Sequence, residues 1–129
     1  MLRDCDSTSM IPTGNLEAAR RFYEDVLQFE PIYENPGGIT YRSGKTLFSL
    51  YLTQSPGPAQ HTLIGWIVED IEQMTDELRA RGVTFEQYDF PGFSTNEKGI
   101  GVVEGEKGAW FRDSDGNILS IWETDRYGA

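Results

Sequence analysis

One cysteine and one histidine are all the chain offers of the two side chains that most often close disulfides or hold transition metals. Cys5 alone cannot form an intrachain disulfide, so this is not a disulfide scaffold. No stretch approaches the ~20 consecutive apolar residues that a membrane-spanning helix needs. The N-terminal MLRDCDSTSM has no apolar core of signal-peptide length. Basic residues are scarce as well: 11 Lys and Arg stand against 21 Asp and Glu, a formal net charge of −10. A surface of that sign is repelled by phosphate backbones and by anionic lipid leaflets, which argues against nucleic-acid and membrane partners. Together these absences predict a cytoplasmic protein.

What the chain has is a repeat. Residues 15–31 read NLEAARRFYEDVLQFEP and residues 70–86 read DIEQMTDELRARGVTFE. Each begins with a polar cap, continues as an amphipathic helix and runs into a strand. LFSLYLT at 47–53 is echoed by LSIWET at 119–124. At 129 residues the chain has the length of one domain. We therefore expect a single domain of two tandem units, 1–55 and 60–129, joined by the Pro/Gly-rich QSPGPAQ of residues 54–60.

Within the first unit, residues 6–12 read as a strand closed by Pro12, and Asn15 as the cap of a helix burying Leu16, Ala19, Tyr23, Val26 and Leu27. The turns Asn35-Pro36-Gly37-Gly38 and Ser43-Gly44-Lys45 divide residues 29–53 into three strands. The unit is β-α-β-β-β. In the second, strand 61–68 precedes a helix capped by Asp70, with Gln73 placed to complete a capping box and Ile71, Met74 and Leu78 as its buried stripe. Gly82 ends that helix and Val83–Tyr88 reads as the next strand. Residues 89–107 form a long Gly-rich loop in which Gly99–Val103 has the pattern of a short strand. Asp115-Gly116-Asn117 turns into the last strand, 118–124.

This pattern resembles the vicinal oxygen chelate superfamily, which includes glyoxalase I, bleomycin- and fosfomycin-resistance proteins and extradiol dioxygenases. The residues that carry the likeness are LEAARRFYEDVL (16–27), WIVEDIEQMTDELRARGVTF (66–85) and, most specifically, AWFRDSDGNILSIWE (109–123). The resemblance implies an α+β fold: a strongly curved mixed sheet around a cavity, with helices outside. It implies no single reaction, since the family holds both metal enzymes and metal-free binders. It also implies a homodimer, the commonest symmetric assembly.

Metal-using members draw His, Gln or Glu ligands from four strand positions. Here those positions fall on Thr8, Ser49, Leu63 and Ser120. Leucine has no lone pair for a metal and neutral hydroxyls are poor ligands, so no metal and no cofactor is expected. Strand alternation sets the cavity face as Met10, Leu47, Ser49 and Tyr51 in the first unit, with Leu63, Gly65, Ile67, Ile118, Ser120 and Trp122 in the second. Ile11, Phe48, Leu50, Leu52, Ile64, Trp66, Val68, Leu119 and Ile121 face the helices. The cavity set mixes aromatics with hydroxyls. It suits an apolar or aromatic organic ligand stacked on Tyr51 or Trp122 and oriented by serines, although the same side chains could simply fill a small core.

His61 lies two residues before Leu63, and Asp6 two before Thr8. Side by side they would form an acid–base pair; the plainer reading is a solvated histidine at a strand entrance. Glu123 alternates away from Ser120 and reads as a rim carboxylate. Phe90 and Phe93 in the long loop suggest a lid, a dimer contact or packing on the domain edge. Asp113-x-Asp115-x-Asn117 has a calcium-loop look but lacks the downstream Gly and bidentate Glu. The expected function is metal-independent binding of a small organic molecule, with a lyase or isomerase step left open. The alternatives are a divalent-metal glyoxalase- or dioxygenase-like enzyme with displaced ligands from His61, Asp6 and Glu123, or a dimeric interaction domain without a ligand.

Overall fold

The structure is a computed structural model and describes residues 1–125. The chain divides into one unit from Met1 to Gly57 and a second that begins at Pro58. Both are α+β, each built on a four-stranded mixed sheet. No helix among the described residues is long and apolar enough to cross a membrane.

The first unit runs β1 (Ser9–Thr13), α1 (Leu16–Arg20), a π-helical turn (Arg21–Val26), β2 (Pro31–Asn35), β3 (Gly38–Ser43) and β4 (Thr46–Leu52). The strand order is β1-β4-β3-β2, with β1 parallel to β4 and the other pairs antiparallel. Asn15 caps α1 by accepting from the Ala18 N–H at 3.1 Å. The expected single α-helix instead widens after Arg20. The Leu27 N–H reaches Phe22 O at 3.0 Å and the Phe29 N–H reaches Tyr23 O at 2.9 Å. Gln28, at φ 67°, then turns the chain into β2. Pro12 lies inside β1 rather than ending it. β1 is an edge strand, where a missing N–H is tolerated. The core is aromatic: Tyr23 stacks on Tyr41 and packs against Phe48, all buried with Ile11, Ile39 and Leu50.

The second unit runs β5 (Thr62–Ile67), α2 (Ile71–Ala80), a small hairpin of β6 (Asp89–Phe90) and β7 (Phe93–Ser94), β8 (Ile100–Val103), β9 (Glu106–Arg112) and β10 (Ile118–Glu123). The order β5-β10-β9-β8, with β5 parallel to β10, repeats the first unit's arrangement. Asp70 accepts from the Gln73 N–H at 3.1 Å, but the Gln73 side chain reaches Glu77 and does not close a capping box on it. Ile71 and Thr75 are the buried residues of α2, with Met74 and Leu78 half-buried.

Two expectations need correction here. Val83–Tyr88 is not a strand: Phe85 makes one bridge to Phe111, and the Glu86 N–H donates to Trp110 O at 2.8 Å. Val83 and Phe85 are buried, so this stretch is apolar because it packs, not because it joins the ladder. The 89–107 segment, expected as a loop, holds a hairpin and the start of β9 as well as the short strand expected at Gly99–Val103, which is β8 and the counterpart of edge strand β2.

Candidate functional site

The open face of the second sheet is organised by one side chain. Register pairs Ser120 with Gly65 on one side and Trp110 on the other, and Trp122 with Ile67 and Gly108. The Trp122 indole crosses both glycines. A Cβ on Gly108 would stand 2.8 Å from ring atom Cζ3, and one on Gly65 would stand 3.4 Å from Cδ1. On β9 only glycine leaves the ring this room, whereas on β5 the tight neighbour of a Cβ would be Ser120 Oγ at 2.8 Å. Trp122 Nε1 donates to Ser120 Oγ at 3.0 Å, and Ser120 Oγ donates to Ile64 O at 3.3 Å. Trp110 meets Trp122 edge-on, 5.3 Å between centroids at 85°. The indole is therefore fixed from three directions.

A hollow of about 420 Å³ lies beside it, lined by Leu63, Gly65, Ile67, Ser120 and Trp122. That volume is within the range of sites for drug-sized molecules. Four of the residues expected at the ligand, Leu63, Gly65, Ser120 and Trp122, meet at this one place. Ser120 is 1% exposed and its hydroxyl is engaged on both sides, so it holds the indole.

The hairpin extends this aromatic surface. Phe93 packs edge-on against Trp110 at 5.6 Å and covers Gly101, where a Cβ would stand 2.6 Å from its ring. Phe90 is 59% exposed and stacks on Tyr88, which meets Trp110 edge-on at 5.7 Å. Phe90 and Phe93 also line a second hollow of about 620 Å³ with Val102 and Lys107. Burial first, then the Glu86 charge, push the Tyr88 phenol up from its ordinary pKa. Trp110 and Tyr88 are the members that sequence reasoning missed. Trp110 was within reach: it is two residues from Gly108 and opposite Ser120 in a hairpin whose turn was recognised.

On the first sheet, the open face carries Met10, Ser49 and Thr40 in one row, Pro12, Tyr51 and Gly38 in the next, and Leu47 beside Arg42. Ser49 and Thr40 share a hydroxyl hydrogen bond at 2.8 Å. Met10, Leu47 and Tyr51 are exposed. Asp6 lies beyond the start of β1, exposed and without an ion pair among the described residues. His61 is exposed just before β5, with Nδ1 3.3 Å from Thr62 O.

The four positions where relatives hold a metal do not fit one here. Thr8 Oγ1 donates to Leu47 O at 3.0 Å, Ser49 bonds Thr40, Ser120 bonds Ile64 O, and Leu63 has no donor atom. Glu123 Oε1 accepts from the Ile71 N–H at 3.0 Å, at the start of α2, and Oε2 faces Lys107 at 4.0 Å. Among the described residues no three His, Cys, Asp or Glu side chains form a metal-holding group. Asp113 is a turn residue: its carboxylate accepts from the N–H groups of Asp115 and Asn117 and from Asn117 Nδ2.

Solved structures with the same fold cover nearly the whole chain. A glyoxalase/bleomycin resistance protein/dioxygenase from Alicyclobacillus acidocaldarius matches at TM-score 0.72 and 19% identity over 100% of both chains. A lactoylglutathione lyase from Agrobacterium tumefaciens matches at TM-score 0.67 and 16% identity over 96% of each. A bleomycin-binding protein solved in complex with bleomycin matches at TM-score 0.70 and 16% identity, over 92% of this chain and 98% of that one. No curated protein sequence matches. The Glyoxalase/Bleomycin resistance protein/Dioxygenase superfamily model matches residues 7–121, and the chain belongs to that superfamily, the vicinal oxygen chelate proteins.

Proposed function

We propose that the chain is a metal-independent member of this superfamily that binds a small apolar or aromatic molecule on the open face of its second sheet, with Trp122 as the anchor. The observation that carries this reading is the indole held flat over Gly65 and Gly108 beside a 420 Å³ hollow. A rigid aromatic plane beside a hollow stabilises a stacked ligand without first paying for its own ordering. The open face of the first sheet carries its own apolar and hydroxyl surface in Tyr51, Met10 and Ser49. Binding is the primary activity in this reading. If the bound molecule is also turned over, by an isomerase or lyase step, His61 and Asp6 are the proton carriers.

The reading includes self-association and a cytoplasmic setting. Edge strand β2 is exposed throughout, with Ile32 and Tyr33 at 44% and 62% exposure. A bare edge of this kind is a pairing surface for a second copy. A thermal-shift screen of apolar and aromatic compounds tests the binding claim, because a ligand of the native state raises Tm by mass action. Hits that stabilise the wild type and lose their effect in Trp122→Ala support it; hits indifferent to Trp122 refute it.

A further inference from the structure

The first sheet ends in a hollow of about 580 Å³ lined by Asp6, Ser7, Thr8, Arg42, Lys45 and Leu47. Arg20, Arg79, Lys98, Lys107 and Arg112 each sit within 4.0 Å of a carboxylate. Arg42 and Lys45, like Arg3, Arg21 and Arg81, make no such pair among the described residues, and these two line the same hollow. Two unpaired cations therefore share one hollow, opposed by the single carboxylate of Asp6.

The local fold places them there. Gly44, at φ 57°, makes the β3–β4 turn, and Thr46 Oγ1 closes it on Ser43 O at 2.8 Å, which presents Lys45. Arg42 pairs with Leu47 in the β3–β4 ladder, on the same face as Ser49 and Tyr51. The hydroxyl protons of Thr8 and Thr46 are spent on backbone carbonyls, so the donors open to a ligand are the Arg42 guanidinium, the Lys45 ammonium and Ser7. Exposed apolar side chains of Leu47, Met10 and Tyr51 continue the face away from these cations.

We propose that this hollow is an anion subsite for a small amphipathic molecule: one carboxylate, phosphate or sulfonate group held by Arg42 and Lys45, and an apolar or aromatic body lying over Leu47, Met10 and Tyr51. Arg matches the geometry of such oxyanions bidentately, and Lys adds a mobile point charge. The proposal concerns the first sheet and stands apart from the Trp122 hollow of the second.

The test uses two probes of related shape, anilinonaphthalene sulfonate, which carries an anion, and neutral N-phenylnaphthylamine. Fluorescence titrations compare wild type, Arg42→Gln/Lys45→Gln and Trp122→Ala, each shown to be folded by its melting curve. The double variant is expected to bind the sulfonate about tenfold more weakly, the scale of one charge-assisted hydrogen bond. The neutral probe should change less than about twofold, and raising salt should weaken the sulfonate in wild type but not in the double variant. Arg42→Lys/Lys45→Arg should retain the affinity. Lys45→Gln, on the exposed turn, should show a partial loss by itself and decides the matter if the double variant is unstable. Unchanged sulfonate affinity in the double variant, equal loss of both probes, or no sulfonate binding by wild type overturns the proposal. Loss of binding confined to Trp122→Ala also overturns it, while leaving the Trp122 hollow intact.

Discussion

Gly108→Ala is a small change with a calculable consequence. The added methyl would stand 2.8–2.9 Å from three atoms of the six-membered ring of Trp122. Carbon atoms prefer about 3.5 Å or more, so the ring must move about 0.6 Å. The ring has little freedom to do so. Its Nε1 bonds Ser120 Oγ at 3.0 Å, and Trp110 abuts it at 5.3 Å. A rigid shift away from Ser120 would stretch that hydrogen bond to about 3.6 Å, where it no longer counts as one. Overpacking costs about 1–3 kcal/mol and the hydrogen bond about 1 kcal/mol, offset by about 0.5–1 kcal/mol for replacing glycine in a strand. The net is a destabilisation of about 1–3 kcal/mol, or a fall in Tm of about 4–12 °C for a chain of this length. Thermal unfolding followed by circular dichroism measures it. Repeating the substitution in Trp122→Ala isolates the cause, because the three nearest neighbours of the added methyl are all atoms of the indole and the penalty should shrink without them. An unchanged or higher Tm in the single variant, or an undiminished penalty without the indole, would refute the reasoning.

Other outcomes follow from the same geometry. Ser120→Ala removes the acceptor for Trp122 Nε1 and should cost about 1 kcal/mol in chemical denaturation while also altering tryptophan fluorescence. Glu123→Gln should weaken the charge interaction with the start of α2 by about 0.5 kcal/mol yet leave ligand affinity within about twofold, since Glu123 accepts from Ile71 and not from the hollow. Burial, and then the hydrogen bond it donates to Glu24 at 2.8 Å, push the Tyr41 phenol up from its ordinary 10.0. The unfolded chain therefore releases this proton first, so stability should hold below pH 10 and fall as pH rises beyond it. Tyr41→Phe should flatten that alkaline limb in urea titrations, with Tyr88 and Lys98, whose pKa values are also raised, contributing to what remains. Light scattering at micromolar concentration should report a dimer; a monomer would contradict the pairing of exposed edges.

Alternation along the strands was the most legible signal. Ile11, Phe48 and Leu50 are buried while Met10, Leu47 and Tyr51 are exposed, because successive residues of a strand must face opposite sides. Leu52, expected against the helices, is 48% exposed because it ends its strand. The caps were equally readable: Asn15 and Asp70 each offer a side-chain oxygen to an N–H three residues on. The edge of the second sheet was harder. Val83–Tyr88 has a strand's composition, but burial against Phe111 uses the same residue types as a ladder does. The partner of β9 comes from β8, after a hairpin that local pattern does not announce. The widened turn after Arg20 also has no local signature, since it shows only in how Tyr23 and Phe29 close the chain onto the sheet. The candidate site shows the same division. Leu63, Gly65, Ser120 and Trp122 follow from alternation, whereas the locking of Trp122 by Trp110 and Gly108 depends on the register between strands.

The central claim is that ligand binding rests on Trp122 and not on a metal. Its most direct test is calorimetric titration of the best thermal-shift ligand into chelator-treated wild type, Trp122→Ala and Glu123→Gln. The account predicts an affinity unaffected by chelator, a loss of about 1–3 kcal/mol in Trp122→Ala, and little change in Glu123→Gln. Binding abolished by chelator and restored by a divalent ion, or abolished by Glu123→Gln with Trp122→Ala unaffected, would contradict it.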